Sequence, residues 1–134
     1  MNIIQMLQNA HTASVTLQTT RDMLADAAWL GGGSGTPYVS RKSAGTYSDP
    51  TAKSVERLMH LRQKLESTQT NAISMYDAAI AELKRIPDGT IQKILYLRHY
   101  KNLKWHDITA IFGTGYTSDM LKQRYSRFCR KLPS

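Results

Sequence analysis

Residues 90–132 read TIQKILYLRHYKNLKWHDITAIFGTGYTSDMLKQRYSRFCRKL, and the punctuation of this stretch decides the fold. Pro87, Asp88 and Gly89 break the pattern that precedes it, and apolar residues then recur at helical spacing in blocks separated by short turns. The first block predicts a helix over 90–100, capped by Asp88 or Thr90 and burying Ile91, Ile94, Leu95 and Leu97. Lys101, Asn102 and Leu103 form a turn. The second block predicts a helix over 104–112 that buries Trp105, Ile108 and either Ile111 or Phe112. Gly113, Thr114 and Gly115 end it, because glycine accepts the left-handed backbone that a tight turn after a helix requires. A third helix follows, with Thr117 or Ser118 as N-cap, and runs to residue 132. Met120, Leu121, Tyr125, Phe128, Cys129 and Leu132 fall on one face of it, whereas Ser118, Asp119, Lys122, Gln123, Ser126, Arg127, Arg130 and Lys131 fall elsewhere. The first face predicts core and the second a cationic surface.

Charge is distributed to match. The chain has 134 residues and a formal charge of +8, with a sequence pI near 9.8. From Asp88 onward, nine Lys and Arg face three acids, so +6 of the total sits in the last third of the chain. Such an excess sets up a field that attracts polyanions, either nucleic acid or an acidic membrane surface. A basic amphipathic helix alone would suit a membrane or an acidic protein equally well. Placed after two short helices and a glycine turn, it reads as a recognition helix for a major groove.

The residues Ile94-Leu95-Tyr96-Leu97-Arg98, Leu103-Lys104-Trp105-His106-Asp107-Ile108, Phe112-Gly113, Tyr116-Thr117 and Leu121 resemble the C-terminal region of phage and prophage regulators of the ArpU type. Those regulators share the helix-turn-helix of sigma-70 region 4. The resemblance covers 88–134; upstream, a serine-rich loop feeding a long helix is similar only in composition. Thr109 stands where that family usually has alanine, and Thr114-Gly115 lengthens the turn before Tyr116 by two residues. The resemblance implies a transcriptional regulator, typically an activator of phage late genes, with a host RNA polymerase contact as a further implied partner.

The DNA-binding candidates are Lys104, Thr117, Ser118, Asp119, Lys122, Gln123, Arg124, Arg127 and Arg130. Lys122 and Gln123 lie early in the third helix, where side chains reach base edges; Ser118 could meet phosphate and Asp119 cytosine. Lys104, Arg124, Arg127 and Arg130 suit phosphate. Trp105 belongs inward, since its spacing with Ile108 puts it on the core face and duplex DNA offers no unstacked base.

Upstream, 1–30 carries Ile3, Ile4, Leu7, Ala10, Leu17, Leu24, Ala27 and Ala28 on helical spacing and predicts one helix or two. Residues 31–50 are rich in Gly, Ser, Thr and Pro and predict a linker, in which Arg41 and Lys42 could form an arm reaching phosphate. A long amphipathic helix over 51–87 starts near Ser48 or Asp49, with Val55, Leu58, Leu65, Ala72, Ile73, Tyr76, Ala79, Ile80 and Leu83 on one stripe. Heptad phasing puts Arg62 and Gln69 on that seam, which argues against a continuous coiled coil. The helix can pack on the N-terminal helix of its own chain, join a homodimer or higher oligomer, or both. The fold class is therefore all-α: an N-terminal helical hairpin or stalk followed by a three-helix head at 88–134.

Composition narrows the remaining classes. The lone Cys129 precludes an intramolecular disulfide and suits a reducing cytoplasm. There is no long apolar run for a membrane span, and the N-terminus lacks the pattern of a signal peptide. His11, His60, His99 and His106 do not have metal-ligand spacing, and Gly31 to Gly35 lacks the Lys-Ser/Thr ending of a phosphate-binding loop. No cofactor, metal or catalytic role is expected. The functional readings are a transcription regulator that binds double-stranded DNA, a small terminase subunit that recognises phage DNA for packaging, and a helical protein-interaction module.

Overall fold

The computed structural model describes residues 1–31 and 50–132. Among them every regular element is helical and there is no strand, so the chain is all-α. The helices are α1 (Ile3–Gly31), α2 (Pro50–Leu83), α3 (Gly89–Leu95), which runs straight into a π-helical turn over Tyr96–Tyr100, α4 (Trp105–Phe112) and α5 (Ser118–Lys131). The linker reading, Arg41 and Lys42, and the Ser48 or Asp49 cap lie outside the described residues.

Helix starts follow local chemistry. Asn2 and Gln5 form a reciprocal capping box on α1: the Gln5 amide N–H donates to Asn2 Oδ1 at 2.9 Å, and the Asn2 N–H donates to Gln5 Oε1 at 3.1 Å. Asp88 caps α3, its carboxylate accepting from the N–H groups of Thr90 at 2.9 Å and Ile91 at 3.4 Å. Thr117 caps α5 through its hydroxyl, which accepts from the Met120 N–H at 3.2 Å. Of the paired alternatives in the sequence, Asp88 and Thr117 are thus the caps.

The chain divides into two compact units. The first comprises Met1–Ser14 and Ala72–Ser134. Its core joins Ile91, Ile94, Leu95, Ile108 and Leu121 to Ile3, Leu7 and Ala10 of α1 and to Ala79 and Leu83 of α2. The largest of its fully buried side chains are Leu7, Ile94, Leu95, Ile108 and Leu121. Phe112 packs against this core, whereas Ile111 is 48% exposed, which resolves that alternative in favour of Phe112. Leu97 is half-buried rather than enclosed, because the π-helical turn shifts the residues after Leu95 off the α3 repeat. Met120, placed by spacing on the apolar face of α5, is 42% exposed: it lies on the edge of that face, 100° from Leu121.

The second unit is Val15–Asn71, which holds the remainder of α1 and the first part of α2. Thr20 and Leu61 are buried there. The Thr20 hydroxyl is satisfied by donating to the Thr16 carbonyl at 2.9 Å, so its burial leaves no polar group unpaired.

Along α2 the inward stripe differs from the one read in the sequence. Leu61, Ala72, Ala79 and Leu83 are buried and Leu58, Leu65, Thr68 and Tyr76 half-buried, while Val55 and Ile73 are about half exposed. Val55 and Ile73 sit one residue past Ser54 and Ala72 on this repeat, and one residue rotates a side chain by 100° off the stripe. Arg62 and Gln69 are exposed for the same reason.

Candidate nucleic-acid interface

α4 and α5 are joined by Gly113 to Thr117, and two glycines make the turn possible. Gly113 has φ +93° and Gly115 φ +94°. Gly113, at ψ −166°, occupies a region essentially closed to residues with a Cβ. The Gly113 N–H closes α4 on the Thr109 carbonyl at 3.1 Å, and the Tyr116 N–H donates to the Gly113 carbonyl at 3.4 Å.

A side-chain link spans the turn. The Thr109 hydroxyl donates to the Trp105 carbonyl at 2.8 Å and lies 2.9 Å from the Ser118 hydroxyl. With its single proton committed to Trp105, Thr109 accepts, and Ser118 is the donor. Thr109 thus ties the first residue of α5 to α4 across the turn. Ser118, a phosphate candidate by position, is half-buried and its proton points inward, away from any ligand on the outer face.

The preceding turn is fixed by Arg98. Its Nη1 donates to the Leu103 carbonyl at 3.0 Å, and its guanidinium lies 5.6 Å from the centre of the Trp105 ring. Asn102 carries φ +58°, a conformation Asn tolerates better than most residues. Trp105 is half-buried rather than enclosed, with its ring 5.3 Å from that of Tyr125 in an edge-on arrangement. This orients α4 against the middle of α5.

His99 adds a second tie to α5. Its Nε2 lies 2.7 Å from the Tyr125 hydroxyl, and the Gln8 amide lies 3.5 Å from Nδ1. Burial, with the charge of Arg98 as a lesser cause, lowers the His99 pKa to about 4, so the ring is neutral at pH 7. Burial likewise pushes Tyr125 up to about 12. Next to it, His11 Nδ1 lies 2.7 Å from the Tyr100 carbonyl, at the end of the π-helical turn. None of His99, Tyr125 or Thr109 was singled out by sequence as a group that positions α5. The available signal was small: Thr109 departs from the alanine of the resembled family.

Lys122, Gln123, Arg124, Arg127 and Arg130 are all exposed on α5, as is Asp119 in its first turn. Lys104 is exposed at the N-terminus of α4, and Thr117, also exposed, is occupied as the cap. Helical geometry separates the α5 set. Gln123 and Arg130, seven residues apart, share the side directly away from Leu121, Tyr125 and Phe128. Arg124, Arg127 and Lys131 line a groove with Ile86, Pro87, Asp88, Ile91 and Phe128. Lys122 lies on the opposite flank, toward Cys129. Among the described residues the one ion pair is Arg85 with Glu82, at 3.5 Å, so the α5 cations have no acidic partner within bonding distance there.

Among the described residues no group of three or more His, Cys, Asp or Glu could hold a metal ion, and no helix is long and apolar enough to cross a membrane. Comparison with family models, characterised proteins and solved structures finds no match to the chain.

Proposed function

We propose that the chain binds double-stranded DNA sequence-specifically, with α5 as the helix that enters the major groove, and acts as a transcription regulator. The observation that carries this reading is the outer surface of α5. Its exposed cations lack acidic partners among the described residues, and the helix is held by its opposite face, through Leu121, Tyr125 and Phe128. A helix anchored in this way projects a rigid polar face, and a short helix and a turn precede it, as major-groove readers require. Gln123, near the N-terminal end, is placed for base edges, and Lys122 beside it. Arg124, Arg127 and Arg130 supply phosphate contacts. The resemblance of 88–134 to ArpU-type regulators supports regulation as the purpose of binding.

Selection from a random duplex library with the full chain tests this reading. Enrichment of one motif, with retention weakened by salt, supports it; recovery of unenriched sequences at all salt concentrations removes sequence-specific regulation as the function.

A further inference from the structure

The exposed flank of α2 carries a stripe that the described residues of its own chain leave uncovered. Val55, Met59, Arg62, Glu66, Gln69 and Ile73 follow one another at spacings of four and three residues, the repeat that keeps side chains on one line of a helix. All six are exposed, and the apolar ones markedly: Val55 at 49%, Met59 at 55% and Ile73 at 52%. Two charges of opposite sign occupy its centre. Neither Arg62 nor Glu66 takes part in an ion pair among the described residues, although they are four residues apart.

The order of the stripe is symmetric in character about Lys64. Reversing α2 and laying it on itself sets Val55 opposite Ile73, Met59 opposite Gln69 and Arg62 opposite Glu66, each pair equidistant from the centre. A two-fold axis at that level generates every pairing twice, along about 27 Å of helix at 1.5 Å per residue. The ends become aliphatic layers and the middle two Arg–Glu pairs. A parallel, in-register pairing of the same stripe would instead face Arg62 with Arg62 and Glu66 with Glu66, and like charges in adjacent layers oppose association.

We infer that the Val55-to-Ile73 stripe of α2 is a homodimer interface that takes a second copy of this chain in antiparallel orientation, with Arg62 of each copy paired to Glu66 of the other. The pairing also accounts for Arg62 and Gln69 standing at heptad positions of a helix whose own-chain seam runs through Leu61 and Leu65 instead. It does not depend on DNA binding and is measured without DNA.

Sedimentation equilibrium of the full chain at low salt, over concentrations up to about 100 µM, compares the wild type with Arg62→Glu, Glu66→Arg and the double swap. The wild type sediments as a dimer. Each single reversal turns both symmetry-related central layers, one on each side of the axis, into like-charge pairs and raises the dissociation constant about tenfold or more, while the double swap restores it. Helical circular dichroism is the same in all four, since both positions are exposed. A monomeric wild type across the range overturns the interface. Single reversals that leave the dimer intact, or a double swap that fails to rescue, overturn its antiparallel register.

Discussion

The hydroxyls of Thr109 and Ser118 stand 2.9 Å apart, so the end of α4 and the start of α5 are joined by a side-chain bond as well as by the backbone. Removing the Thr109 hydroxyl leaves the half-buried Ser118 proton without its acceptor, whereas removing that of Ser118 leaves Thr109 still donating to the Trp105 carbonyl. Thr109→Val, which keeps the shape, should cost about 1 kcal/mol in denaturant unfolding. A double-mutant cycle with Ser118→Ala should return a coupling of about 0.5–1.5 kcal/mol. Additive effects would show that the two groups act independently.

Gly113 is required by its backbone, not by space. An added Cβ meets nothing within 4 Å, but φ +93° excludes it conformationally. Gly113→Ala should therefore destabilise the protein by about 1–3 kcal/mol despite the open surroundings. A change within a few tenths would mean that the turn relaxes into another conformation, and with it the angle between α4 and α5.

Trp105 is half-buried against Tyr125 and under Arg98, so its truncation loses less than a fully enclosed tryptophan would. Trp105→Ala should cost about 2–3 kcal/mol. Its indole fluorescence should also report on the α4–α5 contact, changing with Tyr125→Ala even where the fold persists. An unfolding free energy unaffected by Trp105→Ala would detach the side chain from that contact.

His99 makes stability depend on pH in a defined direction. Its folded pKa of about 4 lies below the unfolded value near 6.5, so the unfolded chain binds more protons between these values. Stability is fullest above pH 6.5, falls as the pH drops through that value, and stops falling on this account below about 4. Because the ring is only partly buried, screening reduces the loss to about 1 kcal/mol between pH 7 and 5. Thermal unfolding across that window should show the decline, and His99→Gln should flatten it. An equally steep decline in His99→Gln would assign the effect to other groups.

Much of the first unit was legible because its signals are local. Asp88, Thr117, Gly113 and the spacing of Ile91, Ile94, Leu95, Ile108 and Leu121 each act within a turn or two, and the helices over 89–131 fall where those residues place them. What sequence spacing could not show is what arrives from far away in the chain. Ile3, Leu7 and Ala10 enter the same core from α1, and His11 and Gln8 reach Tyr100 and His99. On α2, the apolar residues of one continuous helix fit two neighbouring stripes, and only burial separates Leu61 and Ala72 from Val55 and Ile73. At the candidate interface, the exposure of Lys122, Gln123 and the arginines followed from amphipathicity, but the inward turn of Ser118 depended on Thr109 across a turn.

Whether α5 reads DNA is decided by the affinity of single variants for the selected site and for random duplex across several salt concentrations. Gln123→Ala and Lys122→Ala should weaken the selected site more than random DNA, by about 1–3 kcal/mol where a bidentate base contact is lost. Arg127→Ala and Arg130→Ala should weaken both duplexes alike and lower the salt slope by about 0.9 for each phosphate contact removed. Variants that leave both affinities and both slopes at wild-type values would contradict the claim that α5 faces DNA at all.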